Sequence, residues 1–237
     1  MLLITPYHIQ AYAKCPKYCH LNYYEISSPI KNIETKIIEV VIKSSYAYHL
    51  KHEKLPPWKL IIKWTEKHLS DNPITSSYDY KDTKGILQKL HIWYYNFYIP
   101  INRYGLTNLP VAVGLGTNVT FYDTIDVVLL GDNISLVDIV YVEDLASYTN
   151  RSFYNDILFH LKTWIAVKST DTIPDIYYRI VVGKQSLKII KTNINQGIVS
   201  NIEKTIRHIC SGIKENIFYP SYSIQCDTCN QLKNCNI

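Results

Sequence analysis

Arginine is scarce in this chain of 237 residues: there are four, against 21 lysines. Lysine is a compact, flexible point charge, whereas the planar fork of arginine reads phosphates and base edges bidentately. The balance therefore suits loose phosphate contact better than base reading. The net charge is only +5, and a merely solvated basic surface fits that value equally well. No run of 18 apolar residues occurs, so no membrane-spanning helix is expected. The start, Met1 to His8, lacks a basic segment followed by an apolar one. No signal peptide is expected, and an intracellular, cytoplasmic and reducing setting follows. Internal repeats, low-complexity tracts and flexible linkers are also absent. With 47% hydrophobic and 19% charged residues, the chain reads as an ordinary globular protein long enough for one domain. Twenty-one tyrosines beside abundant Ile, Asn and Lys look like the codon bias of an AT-rich genome, which is compatible with a virus-encoded protein.

Along the chain, Thr5-Pro6 reads as an N-cap followed by proline at the first helical position. Apolar residues three or four apart predict a helix over 33–52, ended by Pro56-Pro57. Two more helices are expected over 58–69 and 84–98, so that 31–99 forms a helical layer. Pro100 and Pro110 bracket a connection. The stretches 111–115, 119–130 and 134–142 are rich in β-branched residues and joined by glycine-containing turns, which is the pattern of strands. A helix over 152–167, a hairpin over Gly183-Lys184 and a long helix over 194–216 complete an α+β or α/β arrangement around one central sheet.

What is plentiful at the end is cysteine. Cys226, Cys229 and Cys235 stand at C-x2-C-x5-C spacing in a polar tail that cannot hold itself by burying apolar surface. Something covalent or metallic is expected to pin it, and a reducing compartment favours metal. Tetrahedral sulfur sites take four ligands. The best fourth candidate is Cys15, in Lys-Cys-Pro-Lys-Tyr near the other end. Cys19 reads as packing or a spare thiol, and Cys210 as helix core.

Carboxylates form the second constellation. A three-residue turn, Gly131-Asp132-Asn133, sets a hairpin register in which Asp126 and Asp138 face each other on one side of the sheet. There their Cβ atoms would lie about 5 Å apart. Two like charges so placed call for a cation, and paired aspartates on an apolar hairpin suit Mg²⁺ or Mn²⁺. The other reading puts one of them at a solvated strand end with the register shifted by one. Val140 shares the face of Asp138 and can supply neither charge nor proton where hydrolysis would want a lysine.

Together, the early Cys-Pro, a helix-borne His49, Asp126, Asp138, Phe218-Tyr219-Pro220 and the cysteine tail resemble the RecB-like branch of the PD-(D/E)XK nuclease superfamily. The CRISPR-associated iron–sulfur exonucleases and AddB-type nuclease domains are the nearest in pattern. The resemblance implies a restriction-endonuclease-like α+β fold with a central mixed sheet flanked by helices. It covers 1–237 as a single domain: helical layer 31–99, core sheet 111–192, and C-terminal helix with cysteine tail 193–237. It implies that Cys15, Cys226, Cys229 and Cys235 hold a [4Fe–4S] cluster joining the chain ends, with Zn²⁺ as the competing occupant. It also implies His49, Asp126 and Asp138 as metal ligands, with the two aspartates and His160 as the catalytic set.

The catalytic pattern departs from that family in three places. Val140 replaces the lysine after Asp138, and His160 and Trp164 replace a glutamine and a tyrosine. Lys162 is about 200° around its helix from His160, so it faces away if His160 faces in. Lys168, two turns on and nearer the right side, lies beyond the expected helix end, and Asp156 shares the face of His160. The first functional expectation is a DNA-binding protein with a nuclease fold, impaired or lost catalysis, and a place in DNA replication or recombination or a viral assembly. The DNA would be single-stranded or a duplex end, and the chain could be one subunit of a protein complex. The alternatives are an active Mg²⁺- or Mn²⁺-dependent DNA exonuclease with a relocated lysine, and a structural interaction protein that holds a metal on its four cysteines and binds no DNA.

Overall fold

The computed structural model of the chain describes residues 2–21, 33–71, 80–115, 119–149 and 156–218, with Cys226, Cys229 and Cys235. In order these form β1 (Leu2–Ile4), α1 (Pro6–Lys14), α2 (Pro16–Leu21), α3 (Ile33–His52), α4 (Trp58–Ser70) and α5 (Tyr80–Trp93). A π-helical turn, Tyr94–Tyr98, extends α5. Then come β2 (Tyr104–Gly114), β3 (Val119–Leu130), β4 (Ser135–Tyr141), α6 (Ile157–Thr170), β5 (Ile176–Val182), β6 (Leu187–Asn193) and α7 (Gln196–Lys214). The six strands make one mixed sheet with helices on both faces, the α+β arrangement expected from the sequence. Among the described residues no helix is long and apolar enough to cross a membrane.

β3 is the spine of this sheet. It carries antiparallel β2 along one edge, and on the other edge parallel β1 at its start and antiparallel β4 at its end. β5 pairs parallel with β4, and β6 antiparallel with β5. Each face buries its own core. On one side Ile4, Ile9, Phe159, Trp164, Ile202 and Ile206 from β1, α1, α6 and α7 pack on Phe121, Ile125, Leu136 and Tyr177. On the other, Ile38, Ile42, Tyr46, Trp93 and Tyr98 pack on Val127, Leu129, Ile139 and Ile180.

The first half of β2 departs from the sequence reading, which placed a connection there. Gly105 and Pro110 look like strand breakers, but β2 is an edge strand, where a missing N–H and a missing side chain are tolerated. Gly105 is needed because Tyr46 lies against it. A Cβ there would stand 2.8 Å from Tyr46 Cδ1 and 2.9 Å from its Cβ and Cγ. Tyr46 is fully buried and packs edge-on to Tyr98, with ring centroids 4.9 Å apart. Contact at the root of the side chain leaves it nowhere to swing. Gly105→Ala is expected to cost about 1–3 kcal/mol, seen as a lower urea midpoint at unchanged slope.

The two ends of the chain meet on the α1/α7 side. Thr5 caps α1, with His8 Nδ1 accepting from its backbone N–H at 3.1 Å. Tyr12 Oη donates to the carbonyl of Ile217 at 2.7 Å. Phe218 lies edge-on to the Tyr12 ring and 4.4 Å from that of His20.

Candidate functional site

β3 and its neighbours are irregular at one place, and that place is Asp126. Thr107 pairs with Val127 and Leu109 with Ile125, but Asn108 and Asp126 between them do not pair. Asn108 takes a left-handed backbone, φ 53°, which asparagine accepts more readily than most residues. On the other edge, Val127 faces Val137 and the β3–β4 ladder stops one pair short of Asp126 and Asp138. The pleat changes phase here: Phe121 and Ile125 face the α6 side before the break, and Val128 faces it after. Asp126 is thereby released from ladder geometry and is 7% exposed.

Two lysines meet it. Lys43, on α3, lies 3.0 Å from Asp126 Oδ1 and also pairs with Glu39 and donates to Asn108 Oδ1 at 2.7 Å. Lys162, on α6, lies 3.3 Å from Asp126 Oδ2, which also accepts from the Ile139 N–H at 3.4 Å. Lys162 is thus the residue of this helix that faces in, where the sequence reading has it facing away if His160 faces the site. Burial opposes its charge, but the carboxylates, Asp126 foremost, outweigh this and hold the ammonium well above the usual lysine range. A second carboxylate that the sequence reading missed, Asp123, sits beside it. Burial raises its carboxyl, against the lowering effects of Lys162 and the Thr124 N–H. Burial also raises the nearby Tyr7 phenol of α1 against the pull of Lys162, with Asp123, Asp126 and Glu39 adding to the rise.

Asp138 has a different partner. Parallel pairing sets Arg179 of β5 directly beside it. Arg179 Nε donates to both carboxylate oxygens at 3.0 Å, and Nη2 donates to Oδ2 at 2.7 Å. The remaining nitrogen, Nη1, donates to Tyr148 Oη at 2.7 Å and to Asp156 Oδ2 at 2.5 Å. Arg179 is 0% exposed and Asp138 2%. Asp156 also caps α6, accepting from the Leu158 N–H at 2.9 Å. One guanidinium therefore ties β4, the segment before α6, and the N-terminus of the helix that carries Lys162.

The other expected residues are placed as follows. His49 stacks on Tyr104, ring centroids 5.1 Å apart, and faces Tyr98; burial lowers its pKa. Tyr104 lies opposite Leu130, four residues along β3 from Asp126, or about 13 Å at strand rise, so His49 is not brought to the aspartates. His160 is half-buried, with its ring 4.8 Å from that of Phe159. Lys168 pairs with Glu203 at 3.1 Å.

Cys15 follows α1 as its C-cap and accepts from the Tyr18 N–H on Sγ at 3.5 Å. Cys229 N–H donates to the Cys226 carbonyl at 3.1 Å. The buried Cys235 thiol is pushed up by its burial and then by the nearby thiols of Cys15, Cys229 and Cys226. None of the six cysteines is in a disulfide. The four thiols of interest are therefore electrostatic neighbours. Among the described residues, however, no three His, Cys, Asp or Glu side chains are grouped as ligands of one metal ion.

No family model matches the chain, and no curated protein matches it. A solved structure of a candidate exonuclease from Eubacterium rectale superposes with a TM-score of 0.60 at 11% identity, covering 99% of this chain and 88% of that one. A second solved structure, SSO0001, reaches a TM-score of 0.40 at 13% identity over 84% and 96% of the two chains, too distant to carry an argument. Over nearly its whole length, then, the chain shares the α+β fold of the first of these structures.

Proposed function

We propose that this chain is a nucleic-acid-binding protein on a nuclease-like fold, whose carboxylate centre is closed by its own cations and whose hydrolytic activity is impaired or lost. The observation that carries this reading is the fork of Arg179 on Asp138, with both groups sealed from solvent. A hard divalent cation needs free carboxylate oxygens. Both oxygens of Asp138 accept from Arg179, and those of Asp126 face Lys43 and Lys162. As arranged, this donor set does not fit Mg²⁺ or Mn²⁺, and freeing Asp138 would break a buried pair at a cost of about 3–5 kcal/mol. Nucleic-acid binding is supported by the likeness to a candidate exonuclease and by the lysine-rich, net positive chain.

A second reading, a working exonuclease, is favoured by one contact. Lys162 comes to Asp126 from α6, where it could stand in for the lysine missing after Asp138. It would act there as a fixed positive charge beside developing phosphate charge. It would not act as a base, since its pKa is raised. A raised folded pKa means that the stabilisation from this pair is fully present below the ordinary lysine range and is lost only as pH rises through the folded value. No Lys162 limb is therefore expected in any activity or stability profile between about pH 6 and 10.

The two readings separate on incubation of purified protein with single-stranded and duplex DNA in Mn²⁺, beside Asp126→Ala and Lys162→Met. The first expects salt-dependent binding with no cleavage attributable to Asp126. Cleavage abolished by both substitutions would establish the second and end the first.

The same proposal assigns Cys15, Cys226, Cys229 and Cys235 to a structural [4Fe–4S] cluster, or to zinc in its place. Such a group would supply a covalent-like clamp between the chain ends and no step of a reaction. What supports it is the chemistry of the donors: four thiols from the two ends, none in a disulfide, three of which raise the pKa of the fourth.

A further inference from the structure

We propose that the outer face of α4, with the aromatic clusters on its two flanks, is a track for single-stranded nucleic acid, separate from the carboxylate centre. This inference rests on the nucleic-acid-binding reading above and gives it a place and a strand type. Lys59, Lys63 and Lys67 recur every four residues on α4 and are all exposed. They form a stripe of charges about 6 Å apart along the helix. Between Lys51 and Ser70 stand five lysines against two glutamates, Glu53 and Glu66. A large part of the small net charge is thus gathered on one helix and the end of its neighbour.

Aromatic rings border the stripe on both sides. Toward α5, Trp58 lies 5.4 Å from His91 and 6.2 Å from Tyr95, and His91 lies 4.3 Å from Tyr95. Toward α3, Tyr48 lies 6.0 Å from Trp64 and 4.3 Å from His52. Tyr95 is 46% exposed, His91 and His52 are exposed, and Trp58, Trp64 and Tyr48 are half-buried. Trp58 and Trp64 also pack on the core beneath them, while Tyr95, His91 and His52 stay open to solvent. The π-helical turn that starts at Tyr94 sets Tyr95 outward while Tyr94 and Phe97 face in. A lysine line bordered by accessible rings is what a flexible strand needs: charges for its phosphates and flat faces for its unstacked bases. A duplex hides its bases and would use the lysines alone. An acidic peptide would likewise use the lysines and leave the rings idle.

The test is fluorescence anisotropy of a labelled oligothymidylate, and of a duplex of equal length, against the full-length protein over a salt series. The variants are Lys59→Gln/Lys63→Gln/Lys67→Gln, Tyr95→Ala and, as a control, Lys204→Gln on the exposed face of α7, with far-UV circular dichroism to confirm that these exposed changes leave the fold intact. The triple variant is expected to lose at least about tenfold in affinity at low salt and to flatten the salt slope by about two. Tyr95→Ala should lose about tenfold for the single strand with its salt slope unchanged, and Lys204→Gln, an exposed lysine away from α4, should bind as the unaltered protein does. If the unaltered protein binds and the triple variant binds equally with the same slope, this inference is overturned and the wider reading stands. If the unaltered protein binds no nucleic acid, the wider reading falls as well. Binding of duplex in preference to single strand, or of polyglutamate with no oligothymidylate, would overturn the track by assigning the lysines to another partner.

Discussion

Arg179→Met is expected to lose about 3–5 kcal/mol of folding stability, read by urea unfolding. Removing the guanidinium strands Asp138, which is 2% exposed, and deprives Asp156 and the Tyr148 hydroxyl of a shared donor. Arg179→Lys should rescue little. One ammonium cannot reproduce three bonds to Asp138 and two more on the opposite side of the guanidinium. The informative partner is the double variant Arg179→Met/Asp138→Leu. It should recover much of the loss, because an apolar pair leaves no buried charge uncompensated. A cost below about 1 kcal/mol for Arg179→Met would mean that the pair is open to water and that the closed-centre reading has lost its support. There is also a functional corollary. If Arg179 is what denies Asp138 to a cation, the folded fraction of the variant should bind Mn²⁺ more tightly than the unaltered protein.

Much of the fold was legible because local signals agreed with global ones. β-branched runs between glycine turns became β3, β4, β5 and β6, and the Thr5-Pro6 start became α1. Hairpin register was also readable: the Gly131-Asp132-Asn133 turn puts Val127 opposite Val137, but the ladder stops there, so the expected facing pair of Asp126 and Asp138 is not part of it. What was not legible is what lies beside Asp138 on its other edge. β4 and β5 are joined through α6, and no turn fixes that register. The sequence nevertheless carried a trace of it. Arg179 stands alone in the apolar run Ile176–Val182, and Lys162 is the lone formal cation in the apolar first turns of α6. A cation set in a largely buried apolar run demands a carboxylate partner, and Asp126 and Asp138 were already in view on the neighbouring apolar strands. Lys43 gave no such sign, because its spacing from Glu39 reads equally well as a surface pair. His49 was chosen by its place in a resemblance, and such a match says nothing about which face of α3 it occupies.

The cysteine site carries the other large expected effect. Anaerobically prepared protein should contain iron and acid-labile sulfide, and be brown, or else contain one zinc and be colourless. Cys15→Ser should remove the metal as completely as Cys226→Ser does, although 211 residues separate them in sequence. In chain-entropy terms, closing a loop of that length is worth roughly 5 kcal/mol, so stripping the metal should lower stability by a few kcal/mol and speed proteolysis of the tail. The controls are internal. Burial pushes the Cys19 thiol up to about 11 and the Cys210 thiol up to about 12, so both stay protonated and unreactive at neutral pH. Cys19→Ala and Cys210→Ala should retain all of the metal. Thiol titration of the native protein should find none of the six reactive while the metal is bound, and four after its removal. The joining of the ends does not rest on metal alone: Tyr12 reaches Ile217, and Phe218 packs between Tyr12 and His20. A metal-free protein with four reactive thiols, unchanged in stability by Cys15→Ser, would therefore leave the fold standing on these contacts and remove the cluster from the account.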